Sequence, residues 1–160
     1  MGERDPKLFL FALTERAIVD QRGGLSLISL IEGVTSQSPS ADDDPRKTAA
    51  EGHLFAVSYW QRPDTAGEDS TFEQRIQIVT PDGAVARESQ PIQFGFTIFG
   101  HKIIQRLDRF PIGYAGIYRV RLQYRKAGAS RWRTLSVWPV TVTHNAADVE
   151  TASTPPLTSG

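Results

Sequence analysis

The chain has 160 residues, of which 39% are hydrophobic and 22% charged, and this composition is typical of one folded globular domain rather than of a disordered or collagenous chain. Its 18 basic and 18 acidic residues give a formal net charge of zero, which excludes the bulk attraction by which basic domains bind nucleic acid or anionic membranes. The absence of cysteine excludes disulfides, zinc–thiolate sites, iron–sulfur clusters and cysteine nucleophiles.

The N-terminal residues do not have the pattern of a targeting signal. Residues 1–7 carry charges of both signs and lead into an apolar run of about seven residues, which is too short for a signal sequence with the expected basic flank. No run of about 18 consecutive apolar residues is present, so no transmembrane helix is predicted. We therefore expect a soluble, cytoplasmic protein with a flexible N-terminus at residues 1–6.

Short apolar runs separated by turn residues dominate the first half of the chain. Residues 8–13 and 15–20 predict strand structure that leads into a glycine turn at 22–24, and residues 25–31 resume as a strand. Residues 34–52 are rich in serine, aspartate and proline, and we expect them to form a long surface loop without a strand. Residues 53–61 are apolar on both alternate faces, which is typical of a central strand.

Alternation of apolar and polar residues predicts the strands of the second half. Residues 72–79, 92–98 and 117–125 each place apolar side chains on one face and polar side chains on the other. The last strand begins near residue 131, and its apolar phase changes next to Pro139, which cannot donate to a ladder. The sequence therefore predicts a bulge or a change of sheet at Pro139.

Together with shorter runs that follow the turn at 81–83 and that include Ile103 and Ile104, these segments make about nine strands at spacings of roughly 8 to 15 residues. Because most turns are too short for helical crossovers, the sequence predicts an all-β, antiparallel two-sheet β-sandwich, immunoglobulin-like or similar. A closed barrel is the alternative that strand count leaves open. The sandwich is expected to span residues 7–143, and residues 144–160 are expected to be a disordered tail.

Several segments together form a recognisable pattern. They are Ala17-Ile18-Val19-Asp20, Gly24-Leu25-Ser26-Leu27-Ile28, Glu32-Gly33-Val34, Phe72-Glu73-Gln74-Arg75-Ile76, Phe110-Pro111-Ile112-Gly113 and Gly116-Ile117-Tyr118. This pattern resembles an uncharacterised bacterial family of predicted β-sandwich proteins, and the resemblance implies that fold but no activity. The position of Tyr118 is also similar to that of the tyrosine in immunoglobulin-like sandwiches whose hydroxyl pins a corner to the backbone.

Arginines on two neighbouring strands form the most unusual predicted surface. Arginine forks bind carboxylates and phosphates bidentately, so such a face is suited to an acidic protein or an anionic ligand. The alternative is a solvated face whose charges pair across strands with Glu73 or Glu88. The residues of this candidate interaction face are Arg119, Arg121, Arg125, Arg131 and Arg133.

Side chains that could bind metal or catalyse a reaction do not form a recognisable motif. His53, His101 and His144 lack ligand-type spacing, and we expect them at the surface or at strand ends. The acidic clusters at 42–44 and 64–69 are expected to be solvated loops, with calcium binding as the alternative. The chain has no Gly-x-Ser-x-Gly elbow and no phosphate-binding loop opening a helix. We therefore predict no catalytic residue, no metal and no cofactor.

Exposed aromatic side chains would favour a carbohydrate-binding sandwich, although large aromatics more often form the core. We expect Trp138 to turn outward next to Pro139. The candidate aromatics are Tyr59, Trp60, Tyr114, Trp132 and Trp138.

Three functions follow as hypotheses. The first is a non-enzymatic, intracellular interaction or structural module that docks an unidentified protein through a sheet face or edge, with no nucleic-acid or membrane partner. The second is a small-ligand or carbohydrate-binding sandwich, and the third is an enzyme with an acid–base pair in a cleft. The sequence does not fix the oligomeric state.

Overall fold

A computed structural model describes residues 5–63, 70–96 and 100–146 of the chain. These residues form ten β-strands and no helix, so the all-β prediction is confirmed, with one strand more than the nine expected. The strands are β1 (Lys7–Val19), β2 (Leu25–Leu30), β3 (Gly33–Gln37), β4 (His53–Gln61), β5 (Phe72–Val79), β6 (Val85–Glu88), β7 (Ile92–Phe94), β8 (Gly100–Asp108), β9 (Gly116–Lys126) and β10 (Arg133–Asn145).

The strands form two sheets. Sheet A has the order β2-β1-β4-β8, and sheet B has the order β3-β10-β9-β5-β6, with β7 also paired to β5. All pairs are antiparallel except β3 and β10, which run parallel with Gly33 opposite Thr141. The prediction of an entirely antiparallel fold was therefore wrong at this pair, and residues 34–37 are strand rather than loop. An edge strand needs few core-facing apolar residues, and in β3 only Val34 packs against the core.

One apolar core lies between the sheets, and sheet B curls around it as a half-barrel. The alternation predicted for residues 117–125 holds in β9, whose alternate side chains from Tyr118 to Tyr124 are at most 2% exposed. From sheet A, Leu13, Ala56 and Trp60 pack against them. Period-two alternation therefore identified the buried face of sheet B.

A polar cross-link joins the two sheets inside this core. The amide oxygen of Gln74 on β5 accepts hydrogen bonds from the Ser58 hydroxyl and the Trp60 indole of β4, at 2.7 and 2.8 Å. All three side chains are at most 1% exposed. Buried polar groups need such partners, so the arrangement fixes how β4 lies over β5.

The β1–β2 hairpin folds back across the outer face of sheet A. β1 pairs with β4 up to Thr14 and with β2 beyond it, so a straight hairpin would point away from the sheet. The Lys102 ammonium of β8, on the opposite edge, nevertheless donates to the Gly23 carbonyl in the hairpin turn. The fold-back accounts for the burial of Ala12 and Val57, whose side chains point away from the core but are at most 2% exposed.

The irregularity of the last strand lies in a different place from the predicted one. The register of β10 against β9 shifts between Thr134 and Ser136, whereas Pro139 stays in register opposite Arg119. The sequence pattern placed the irregularity wrongly because Val137 is apolar but 45% exposed. An apolar residue on the outer face looks, in the sequence, like a shift of the buried face by one residue.

The described residues include the C-terminal end of the predicted domain but not most of the two segments that were predicted to be flexible or disordered. β10 continues to Asn145 rather than ending at residue 143, and its last residues pair with β3. The predicted disorder of the tail falls mostly on residues 147–160, and the predicted flexibility of the N-terminus mostly on residues 1–4. Both lie outside the described residues and stay predictions.

Candidate functional site

The outer face of sheet B is the surface that the arginine pattern singled out. Because side chains alternate across β9, the inward Tyr118, Val120, Leu122 and Tyr124 leave the residues between them on the outside. The outer face has two parts. The paired half consists of Glu73, Arg75, Glu88, Gln123, Arg125 and Trp132, and the open half consists of Ile117, Arg119, Arg121, Val137 and Pro139.

The paired half neutralises its own charges. Arg125 Nε lies 2.5 Å from a Glu73 carboxylate oxygen, and Arg75 Nη1 lies 2.7 Å from Glu88. The Trp132 ring covers both guanidinium groups, whose carbons are 4.4 Å (Arg75) and 4.3 Å (Arg125) from its centroid. The cross-strand pairing considered as the alternative for the arginine face is therefore present at Arg125, which has little capacity left for an external ligand.

The open half differs from the paired half because no acid of the described residues forms an ion pair with its arginines. Arg119 is exposed and Arg121 half-buried, and neither side chain has a hydrogen bond or ion pair to any other residue in the described part of the chain. Pro139 and Val137 lie opposite these arginines on β10. Val137 and Ile117 are 45% and 51% exposed, so two cations stand among accessible apolar side chains.

The remaining two predicted arginines lie at the end of sheet B. Arg133 is in register with Tyr124, so its side chain lies on the opposite side of the sheet from that of Arg125 and reaches Asp5 at 3.4 Å. Arg125, Arg131 and Arg133 border one cleft of about 180 Å³. The structure thus brings these three together at one end of sheet B, whereas Arg119 and Arg121 lie further along β9. Arg133 faces the other side because the bulge between Thr134 and Ser136 interrupts the alternation of β10.

A second cationic site has no counterpart in the sequence analysis. It is a cleft of about 240 Å³ between the connecting segment 38–52, β6 and the β8–β9 connection. Its members come from three segments that are far apart in sequence and that no local motif marks, so only the fold brings them together. We call it the basic cleft, and its cationic lining residues are Arg46, Lys47, Arg87 and Arg109.

The histidines lie at separate places. His53 and His101 are at opposite ends of the β4–β8 ladder, since His53 pairs with Asp108 and His101 with Trp60. The His144 ring is held 2.6 Å from the Ile112 carbonyl oxygen. Among residues 5–63, 70–96 and 100–146, no three histidine or carboxylate side chains are grouped closely enough to hold a metal ion.

Of the two acidic clusters, only the one at 42–44 lies in the described residues. In the first, Asp43 and Asp44 accept hydrogen bonds from backbone N–H groups of their own turn, at 2.9 and 3.0 Å. The second, at 64–69, lies outside the described residues, so its role stays a prediction.

Most of the candidate aromatics are engaged within the fold. Trp60 is fully buried, and Trp138 packs against the core and donates from its indole to the Ile31 carbonyl at 2.6 Å, so the expectation that it turns outward was wrong. The Tyr59 ring lies beneath Lys102, 5.2 Å from its amine. Tyr114 borders a cleft of about 200 Å³.

Comparisons with known proteins do not assign the chain to a family. No protein-family model matches the chain, and no curated protein matches its sequence. The likeness to an uncharacterised bacterial family of β-sandwich proteins therefore stays a prediction. The described residues contain no helix of the length and apolar character needed to cross a bilayer.

Proposed function

We propose that this protein is a non-enzymatic interaction module whose open half docks an acidic segment of another protein. The observation that carries the proposal is the contrast between two sets of arginines on one sheet face. Arg125 and Arg75 have carboxylates from the same chain, whereas Arg119 and Arg121 have none in the described residues.

The composition of the open half supports protein docking over simple solvation. Arginine is enriched at protein interfaces, where it supplies bidentate pairing to carboxylates and a planar surface for packing. Ile117 and Val137 add apolar area that a partner would remove from water. An occupant with carboxylates flanked by apolar side chains matches both features.

The finer fold assignment is part of the proposal. We infer an immunoglobulin-like sandwich, which is supported by the Tyr118 hydroxyl accepting a hydrogen bond from the Tyr114 backbone N–H at 3.1 Å. Such modules commonly present sheet faces and edges to partners. An intracellular location also belongs to the proposal and is supported by a chain that contains no cysteine to cross-link.

Small-ligand binding is the second candidate, and one observation favours it. Tyr114 borders a cleft together with Asp82 and Arg46, so an aromatic ring, a carboxylate and a guanidinium meet there. This combination is suited to a sugar-sized polar ligand. Binding of glycans that is lost in Tyr114→Ala, with Tyr59→Ala as the matched control, would favour this function over protein docking.

The docking proposal is tested by partner capture from the native lysate followed by mass spectrometry. The test variant combines Arg119→Glu with Arg121→Glu, and the control combines Arg16→Glu with Arg22→Glu, two exposed arginines of the β1–β2 hairpin. Circular dichroism must first show that both variants fold. A protein retained by the wild type and the control but lost by the test variant supports the proposal, and equal capture by all three chains contradicts it.

A further inference from the structure

We propose that the basic cleft binds a small phosphate-bearing molecule. Four cationic side chains from three separate chain segments border it, and this site is distinct from the open half of sheet B. The cleft has anchored walls, an excess of positive charge and room for a small ligand.

The segment that supplies Arg46 and Lys47 is fixed in place. Ala49 forms a bridge with Pro111, and the Ala50 N–H donates to the Phe110 carbonyl at 2.8 Å. A Cβ on Gly113 would lie 1.7 Å from the Pro45 carbonyl oxygen, so the backbones of the two segments are in direct contact. The two cations thus stand on an anchored wall of the cleft rather than on a free loop.

The opposite wall is also ordered. The Arg87 guanidinium donates to the carbonyl oxygens of Asp108 and Arg109, which ties β6 to the end of β8. Arg109 has a φ of 54°, a conformation that an arginine adopts only when its surroundings hold it. Its backbone N–H donates to Gly52 at 3.2 Å, so this residue links both walls.

The charge of the cleft is not balanced from within. No carboxylate lines it, and no described carboxylate forms a salt bridge with any of its four cations. Of the acids nearby, Asp108 pairs with Arg106 at 2.6 Å and Glu88 pairs with Arg75. Asp82 interacts electrostatically with Arg46 from the neighbouring cleft that borders Tyr114, and it forms no salt bridge with it. Converging like charges repel one another, and a bound anion with several oxygens would relieve that repulsion.

The size of the cleft selects the ligand class. At about 240 Å³ it is smaller than the roughly 300 to 1,000 Å³ typical of drug-sized ligand sites. It has room for a phosphate or pyrophosphate group with a small organic body. The neighbouring arginines Arg75 and Arg106 are paired with acids, so they do not extend the positive charge of the cleft into a track for a nucleic-acid strand.

The test is isothermal titration of the purified chain with sodium pyrophosphate and with inorganic phosphate, at constant ionic strength set with chloride. One variant combines Arg46→Gln with Lys47→Gln, and a second carries Arg109→Asn, because asparagine tolerates a positive φ. The matched control combines Arg119→Gln with Arg121→Gln, which removes the same charge from the open half.

We expect saturable binding by the wild type and the control, and at least tenfold weaker binding by both cleft variants. Absence of saturable binding by the wild type, equal weakening in the control, or binding of heparin and oligonucleotides alone would overturn the proposal. Because the docking function is read from partner capture at Arg119 and Arg121, the two proposals can fail independently.

Discussion

The Trp60 indole nitrogen lies 2.8 Å from the amide oxygen of Gln74, and this bond crosses the core from sheet A to sheet B. The Ser58 hydroxyl donates to the same oxygen at 2.7 Å. One buried acceptor thus satisfies two buried donors, and its removal would leave both unpaired.

Gln74→Leu is therefore expected to lower the free energy of unfolding by about 2–4 kcal/mol, since an unsatisfied buried donor costs about 1–3 kcal/mol. Urea denaturation followed by tryptophan fluorescence measures the change. Gln61→Leu, at an exposed position on β4, is the matched control and should change it by less than about 0.5 kcal/mol. Equal stability of the two variants would show that the cross-link contributes nothing.

The sequence predicts those strands in which apolar and polar side chains alternate. Residues 72–79 match β5, and residues 117–125 lie within β9, because one buried face imposes a period of two. The parallel edge strand β3 could not be predicted, because backbone pairing holds it and little apolar burial marks it. The fold-back of the β1–β2 hairpin, seen in the contact between Lys102 and Gly23, depends on tertiary packing that has no local signature.

The candidate site was predictable only where its residues share a strand. Arg119, Arg121 and Arg125 lie on one face because they alternate in β9, whereas Arg133 points to the other side because a bulge precedes the rest of β10. The basic cleft was missed because Arg46, Arg87 and Arg109 come from three segments whose contact the chain's local pattern does not encode.

Alkaline pH should destabilise the protein through its buried tyrosines. Burial raises the pKa of Tyr118 above the ordinary value of 10.0, and burial does the same for Tyr124. The folded state then retains protons that the unfolded state releases, so stability is complete below about pH 10 and falls as the pH rises further. The free energy of unfolding, measured by urea denaturation from about pH 9 to pH 11.5, should decrease above that point.

Tyr118→Phe separates the two effects of this hydroxyl. At neutral pH the loss of the bond to the Tyr114 N–H should cost about 1 kcal/mol. Above about pH 10 the decline in stability should become shallower, and combination with Tyr124→Phe should make it shallower still. If the free energy of unfolding declined equally with pH in the wild type, in Tyr118→Phe and in the double variant, the buried tyrosines would not be the cause of the decline.

The contact between Gly113 and Pro45 predicts which glycine the fold cannot replace. A Cβ at Gly113 would lie 1.7 Å from the Pro45 carbonyl oxygen, so Gly113→Ala must displace the connecting segment 38–52. We expect a loss of about 3 kcal/mol or more in the free energy of unfolding and weaker pyrophosphate binding, because this segment carries Arg46. At Gly95 the nearest atom to a Cβ is 3.6 Å away, so Gly95→Ala is the control and should leave both measurements close to wild type.

Trp132 tests whether the two halves of the outer face of sheet B are independent. Its ring covers the guanidinium groups of Arg75 and Arg125, and each cation–π contact contributes about 0.5–1 kcal/mol at a partly exposed site. Trp132→Ala should therefore lower the free energy of unfolding by about 1–2 kcal/mol. Trp132→Phe retains an aromatic ring and should therefore lower the free energy of unfolding by less than Trp132→Ala does.

Partner capture should be retained in Trp132→Ala, because the open half contains neither Trp132 nor the arginines it covers. Capture is measured from the native lysate beside the Arg119→Glu, Arg121→Glu variant. Loss of the partner in Trp132→Ala, with the fold intact by circular dichroism, would place the docking surface on the paired half instead. The acids that neutralise Arg75 and Arg125 would then have to be displaced by the partner's own carboxylates, and binding should weaken little as salt rises, since each new ion pair replaces an existing one.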